Sequence, residues 1–392
     1  ISIVILSTVL VIVSKNIKNN LEVKKNQIKF LEKNLSNKKS QLANIHSKLL
    51  DKKINIENLL FEDGINFVNN SNKKFSIGSQ NYLLKEFNSS DIIFAKHPAA
   101  SSSAYIDYFK DQIFLTTATG QIVYTNIEDF EKKSFTLKPI KTNIQKLIKY
   151  SEFFSSSGFG IKDILINNNN IYVSYIKEHK KDCFSLSILK AELNFEYLKF
   201  VNFYSPEKCV NKDEKFFDDH EHDYLVAHQS GGRLIISNNK LFFTTGDFRY
   251  RILAQDKSRD VGKIVSIDLN TNEKKILSKG HRNPQGLYYH SDLNYLFSTE
   301  HGPSGGDEIN ILNLNQNFDK IPNYGWPLSS YGRHYFDNND DNDIRYKLSP
   351  LKDSHSKYGF IEPLKYFNPS VGISQIVGVN KDFYETDGNV LF

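Results

Sequence analysis

Methionine is absent from all 392 residues, position 1 included, so the chain is expected to begin inside a longer product. Only two cysteines occur, Cys183 and Cys209, and no compact CxxC or HExxH spacing is present, which argues against a zinc site of either type. No stripe of Arg and Lys interleaved with aromatics is found. The net charge of +5, spread through Lys- and Asn-rich sequence, is therefore no nucleic-acid footprint. Between Asn16 and Leu60 there is neither glycine nor proline. What the chain has in quantity is apolar sequence, 39%, and aromatic residues, 13%. That is ample for a sizeable core in one large domain or two ordinary ones.

Residues 1–14 are apolar apart from Ser2, Ser7, Thr8 and Ser14, and Lys15 and Lys18 follow. Such a run is shorter than the roughly 20 residues a helix needs to cross a bilayer, and no A-x-A cleavage site precedes Lys15. It reads as an uncleaved signal anchor whose beginning lies upstream. Over 15–62, Leu21, Ile28, Leu35, Leu42, Leu49 and Ile56 recur every seven residues, with Lys24, Leu31, Lys38, Ile45, Lys52 and Leu59 on the second seam. Heptads sustained in this way predict a coiled-coil stalk, with self-association through it, and the alternating lysines weaken the seam. A lone amphipathic helix is the other reading. Residues 63–90 read as a mixed connector.

From 91 to 392 the pattern is one of short apolar runs between turn residues. Gln112 to Thr117, Gln121 to Thr125, Asp163 to Ile166, Asn170 to Tyr175, Phe184 to Leu189, Lys240 to Thr245, Lys263 to Leu269 and Tyr295 to Thr299 are examples; Asp91 to Ala95 and Leu234 to Ile236 are others. Their β-branched and aromatic content, with NN, TG and GG pairs between them, predicts an all-β region. Spacing of about 40 to 45 residues per group of strands fits a propeller of about six or seven blades. Cys183 and Cys209 flank a predicted antiparallel pair, and in an exported domain they would join.

The densest chemistry lies in Gly280 to Gly332, where Arg282, Asn283, Asp307 and Glu308 sit among Gly and Pro turns that aim backbone groups into a common space. Upstream, His228 precedes the Gly231-Gly232 turn; an imidazole there is placed to take a proton from an alcohol near neutral pH. His220 and His222 complete no zinc set with it.

Six motifs then occur in one order: His228-Gln229-Ser230-Gly231-Gly232-Arg233-Leu234; Thr244-Thr245-Gly246-Asp247; Val261-Gly262-Lys263-Ile264; Gly280-His281-Arg282-Asn283-Pro284-Gln285-Gly286-Leu287; Glu300-His301-Gly302-Pro303 with Gly306-Asp307-Glu308-Ile309-Asn310; and Asn323-Tyr324-Gly325-Trp326-Pro327. In this order they resemble the soluble PQQ-dependent glucose and aldose sugar dehydrogenases, the glucose/sorbosone dehydrogenase family. The resemblance runs over roughly Asp91 to Phe392.

It implies a six-bladed β-propeller that binds pyrroloquinoline quinone (PQQ) and Ca2+ and oxidises the anomeric hydroxyl of an aldose to the lactone. His228 matches the base, Arg282 the arginine on the quinone oxygens and Asn283 its neighbour. Gly302 and Pro303 match the carbonyls of the calcium beside the cofactor, and Glu308 and Tyr324 match a second, structural calcium site. Ser370 stands where a threonine hydroxyl is expected.

There are departures. His228 and Arg233 are one residue further apart than the pattern leads one to expect, which leaves either His228 or Gln229 at the base position. The lysine and arginines that hold the PQQ carboxylates come from beyond a segment like Asp387 to Phe392, so the last blade is expected to be incomplete. The expected setting is the cell envelope, with the propeller facing the periplasm or exterior and the electron acceptor unspecified. The alternative is a non-catalytic, membrane-tethered propeller that binds glycan or protein.

Overall fold

The computed structural model describes residues 18, 21–38, 41, 42, 45, 48, 62, 64–77, 80–89, 104–148, 160–180, 183–211, 229–317, 319–335, 344–379 and 390–391. The chain divides into two compact units, Ile1–Ile56 and Glu57–Phe392. In the first unit residues 21–38 are helical, as the heptads predict, and Leu21, Ile28 and Leu35 are exposed on it. The expected signal anchor at 1–14 lies outside the described residues. Among those described, no helix is long and apolar enough to cross a membrane.

The second unit is all β. Its first sheet is built from β1 (Ile65–Ile77), β2 (Gln80–Asn88), β3 (Ala104–Phe109), β4 (Gln112–Thr117), β5 (Ile122–Asn126) and β6 (Ser134–Thr142), in the order β2-β1-β6-β5-β4-β3. The second uses β7 (Ile161–Asn167), β8 (Asn170–Lys180) and β9 (Cys183–Glu192). Two-residue β10 (Tyr197–Leu198) joins β6 of the first sheet, while β11 (Val201–Tyr204) and β12 (Val210–Asn211) join β9. The third is a four-strand meander of β13 (Gly231–Ser237), β14 (Lys240–Thr245), β15 (Lys263–Asp268) and β16 (Lys274–Lys279). The fourth follows as β17 (Pro284–His290), β18 (Tyr295–Glu300), β19 (Asp307–Asn313) and β20 (Lys365–Phe367), and β21 (Gly378–Val379) pairs with β22 (Val390–Leu391).

Local chemistry explains the hairpins. Asn168-Asn169 and Asn238-Asn239 are the two-residue loops of β7-β8 and β13-β14, and all four residues have positive φ. A turn with φ above zero at both central positions matches the right-handed twist of its strands, and asparagine tolerates it. The expected strands at 112–117 and 240–245 form with those bounds.

Within 63–90, expected as a connector, Ile65–Ile77 and Gln80–Asn88 instead pair as the hairpin β1-β2, which extends the first sheet by pairing Ile65 to Val68 with Leu137 to Ser134. Its apolar side chains explain why. Phe67 stacks on Phe135 at 5.5 Å, and Phe87 meets Phe135 edge-on at 5.1 Å, so leaving the segment free would expose both rings.

The innermost strands β3, β7, β13 and β17 lie next to one another in chain order, a propeller-like arrangement. Among the described residues no ladder joins one sheet to the next there, so side chains do. A hydroxyl on the second strand donates to a carbonyl at the start of the next inner segment: Ser174 to Gly232 O (2.6 Å), Thr244 to Pro284 O (2.9 Å) and Thr299 to Ser374 O. Aspartates clasp the same seams. Asp107 accepts the Ile166 amide at 2.6 Å, and Asp163 accepts the Leu234 amide at 2.9 Å.

Arg233 ties four sheets together. It pairs with Asp163 on β7 (3.2 Å), donates to Gln285 O on β17 (2.5 Å), and lies over the Tyr105 ring of β3 at 5.2 Å. Burial pushes the Asp163 carboxyl up to about 6, against the pull of Arg233, and the Tyr105 hydroxyl up to about 12. Between these polar seams the sheets press apolar faces together, with Ile176, Leu186, Leu234, Phe243 and Val265 in one continuous core.

The Cys183–Cys209 disulfide forms as expected, because β12 runs against β9 and sets Asn211 opposite Cys183; the Cα atoms are 5.4 Å apart. It closes a loop over a sequence separation of 26. The double change Cys183→Ser/Cys209→Ser should lower unfolding free energy by about 3 kcal/mol in urea titration. Two titratable thiols in denatured, non-reduced wild type would refute the bridge. Thr244 carries a second expectation: its oxygen donates to Pro284 O and accepts the amides of Gly232 and Arg233, each at 3.1 Å. Thr244→Val keeps the shape and orphans all three groups, so a loss of about 3 kcal/mol is expected; an unchanged urea midpoint would show that the clasp carries no stability.

Candidate active site

The seams bring three loops to one end of the inner strands. Gln229 stands two residues before β13, Arg282 and Asn283 immediately precede β17, and residues 301–306 link β18 to β19. The last of these is glycine-rich because the backbone there is crowded: at Gly306 (φ 71°) an added Cβ would stand 2.3 Å from the Gly332 nitrogen. Together with Arg249, Tyr335 and Ser370 these loops line an open cavity of about 600 Å³. The Tyr324-Gly325-Trp326 corner is hydrogen-bonded to the end of β16, the Tyr324 amide to Lys279 O (2.9 Å) and the Trp326 amide to Gly280 O (3.1 Å).

Arg282 is fixed from every side. One amino group donates to Gly302 O (2.6 Å) and His301 O (3.1 Å), and the other to the Tyr335 hydroxyl (3.2 Å) and the Gln229 amide oxygen (2.9 Å). The guanidinium lies over the Trp326 ring at 5.3 Å. Below it, fully buried Asp247 accepts the Trp326 indole N–H (2.7 Å), the Arg249 amide (2.8 Å) and the Gln229 amide nitrogen (2.9 Å). Burial pushes the Asp247 carboxyl up to about 6 despite Arg282. Asn283 Oδ1 accepts the Gly231 amide at 3.2 Å, so the two loops hold each other in register.

Asp307 at the cavity edge behaves differently. Burial alone would raise its pKa, but the Ser370 hydroxyl and the amides of Gly302, Ile373 and Gly372 all donate to it and hold the carboxyl below its usual range. It is an anion with its lone pairs in use. Burial also lowers the His301 pKa, leaving that imidazole neutral at pH 7.

Of the residues singled out in sequence, Arg282, Asn283, Gly302, Pro303 and Ser370 line this one cavity. The Ser370 hydroxyl is directed to Asp307. His228 lies outside the described residues, while its alternative, Gln229, lines the cavity and binds Asp247 and Arg282. Arg249, His301 and Tyr335 also line it, and sequence reasoning assigned them no role. The EHGP motif contains His301 and the TTGD motif ends two residues before Arg249, while no motif marked Tyr335.

Glu308 and Tyr324 do not line it; they lie together on a separate, smaller pocket with Glu300 and His355. The Tyr324 hydroxyl donates to Ile311 O at 2.5 Å. Both Glu308 oxygens are taken, by His355 Nε2 (3.0 Å) and by Asn310 (3.2 Å), and Ser329 caps the other side of His355 at 2.7 Å. A parallel pair lies alongside: Glu300 accepts His281 Nδ1 (2.9 Å), the Arg282 amide (2.6 Å) and Asn310 (2.8 Å). Among the described residues no cluster of three His, Cys, Asp or Glu side chains has metal-binding geometry.

A meander fold with an arginine-floored pocket at the loop end of its inner strands defines a class, and comparison with known proteins places the chain in it. The family model described as Glucose / Sorbosone dehydrogenase matches residues 110–392, and the chain belongs to that family. It is 34% identical over 171 residues to the aldose sugar dehydrogenase YliI of Escherichia coli (strain K12), a match covering 40% of this chain and 42% of that protein. It is 26% identical over 256 residues to quinoprotein glucose dehydrogenase B of Acinetobacter calcoaceticus, covering 55% of this chain and 48% of the relative. The chain thus spans less than half the length of these relatives. The solved apo-form of the soluble aldose sugar dehydrogenase from Escherichia coli matches at a TM-score of 0.50 and 20% identity, over 73% of this chain and 80% of that one, which reports a shared fold.

The buried His355–Glu308 pair makes stability depend on pH. Burial would lower the His355 pKa, but the hydrogen bond and charge of Glu308 outweigh it and raise the value above that of free histidine. A raised folded pKa contributes stability that is complete below about pH 6.5 and is lost as pH rises through the folded value. Relative to His355→Gln, wild type should lose stability as pH climbs through that window in paired thermal melts; parallel curves would refute the charged pair.

Proposed function

We propose that this chain is a quinoprotein sugar dehydrogenase built on a six-bladed propeller, which holds PQQ and calcium in the axial cavity and oxidises the anomeric hydroxyl of an aldose to the lactone. The observation that carries this reading is the Arg282 floor: a guanidinium fixed by two carbonyls, Trp326, Tyr335 and Gln229, beside Arg249 and open to the cavity. Two guanidinium groups, amides and an aromatic wall suit a planar polyanion, and about 600 Å³ suits a cofactor with a small substrate. Calcium prefers carbonyl oxygens such as those of Gly302 and Pro303; the Gly302 oxygen accepts Arg282 with one lone pair and has a second. A second, structural calcium at Glu308 and Tyr324 belongs to the same proposal; without it, Glu308 is hydrogen-bonded by His355.

When bound, PQQ supplies the two-electron acceptor. The chain itself orients and moves charge. Arg282 and Asn283 stabilise negative charge as it develops on an oxygen over the cavity floor. His228, adjacent in the chain to Gln229, is assigned as the base that takes the proton of the anomeric hydroxyl. Asp247 keeps Gln229, Trp326 and Arg249 in place around Arg282, so the floor does not reorganise during reaction.

The disulfide favours an oxidising compartment, which supports a periplasmic or exterior setting. Attachment through residues 1–14 and self-association through the N-terminal helix belong to the same proposal. Protein reconstituted with PQQ and calcium should reduce a redox dye when given aldoses. His228→Ala should lower turnover by about 10²- to 10⁴-fold and Arg282→Ala by about 10²-fold or more. Bound PQQ with no turnover of any aldose would overturn the proposal.

A further inference from the structure

A second cavity, of about 770 Å³, opens beside β6 and β10 on the outer part of the first sheet and shares no lining residue with the axial one. Its shelf, residues 194–200, is tied down twice. Asn194 Oδ1 accepts the amides of Glu196 (2.8 Å) and Tyr197 (3.2 Å), and Asn143 grips the Phe200 backbone, accepting its N–H at 2.7 Å and donating to its oxygen at 3.0 Å. β10 lies parallel to β6, with Tyr197 opposite Lys141. The Phe195 ring is backed by Tyr124 at 4.8 Å and Phe114 at 5.9 Å and remains 37% exposed; Tyr197 is 44% exposed. Two aromatic side chains are thus presented on a preformed ledge that a ligand would not have to order.

The remaining lining decides the ligand class. Lys141 and Lys146 face Glu62 and Glu196, so the charges cancel and neither a polyanion nor a polycation is favoured. Gln121, Thr142 and Gln145 add amide and hydroxyl groups that both donate and accept. β6 itself offers an extended peptide no free edge here, because its residues already pair with β1, β5 and β10. Apolar ring faces amid neutral donors and acceptors are what a pyranose chain needs: its C–H face covers an aromatic ring while its hydroxyls meet amides.

We infer that this cavity is a binding site for a neutral oligosaccharide, separate from the axial pocket. Its ligand class follows from its own lining, and its use alongside the axial pocket rests on the sugar reading of that pocket: a glycan held at the first sheet would keep its chain close to the protein.

Saturation-transfer NMR on the whole chain, with maltohexaose, cellohexaose and xylohexaose as probes, tests the site. Transfer to at least one hexaose is expected, undiminished by excess glucose. Tyr197→Ala should weaken binding about ten-fold and Gln145→Ala should weaken it measurably, with circular dichroism reporting whether each variant is folded. Gln145 has a surface position on a single helical turn, so that variant decides the matter if Tyr197→Ala misfolds. No transfer to any hexaose, or wild-type binding in the folded variants, overturns the site. Aldose oxidation without hexaose binding refutes this inference alone, and hexaose binding without aldose oxidation refutes the dehydrogenase proposal alone.

Discussion

The Thr244 hydroxyl is the contact on which the arrangement of the site most depends. Among the described residues neighbouring meanders share no ladder at the axis, so their relative placement falls to single side chains that satisfy backbone groups across the seam. Thr244 satisfies one across the seam, the carbonyl of Pro284, and two within its own sheet, the amides of Gly232 and Arg233. Pro284 follows Asn283, and the Arg282 carbonyl takes the Asp247 amide at 2.8 Å. The clasp between the third and fourth sheets is therefore also the joint that sets Gln229 against Arg282. Stability and site geometry share the same few hydrogen bonds.

The cavity floor follows the same economy. Arg282 is buried with its charge, which is tolerable because carbonyls, a hydroxyl, an amide and an aromatic face surround it and Asp247 lies beneath. Asp307 is stabilised as an anion by a ring of amides and so contributes architecture more than proton transfer. A layer below, His281–Glu300 and His355–Glu308 share Asn310 between them. There the His355 imidazole is hydrogen-bonded to the Glu308 carboxylate.

Much of this was legible in the chain. Paired asparagines marked two hairpins, because positive φ at both turn positions is a local demand that few residues meet. Arg282, Asn283, Gly302, Pro303 and Ser370, which ordered motifs tie to one architecture, line one cavity. The segment 63–90 was misread because Phe67 and Phe87 are spaced too irregularly to announce a strand; their partner Phe135 is distant in sequence. The Glu308–His355 contact was not legible for a related reason. His355 lies 47 residues away from Glu308 in a stretch with no motif of its own.

By itself the sequence determined the all-β character of the larger unit, the helical N-terminal segment, the turn positions and the family. Each of these follows from propensity and pattern over short spans, where backbone sterics and side-chain period act locally. Only the tertiary structure decided that the hairpin at 65–88 belongs to the first sheet, that Arg233 spans four sheets, that Gln229 and Asp247 brace Arg282, and that Phe195 and Tyr197 share a ledge with Lys141. Those arrangements depend on desolvation and pairing between groups far apart in the chain. No local pattern encodes which buried donor will meet which acceptor.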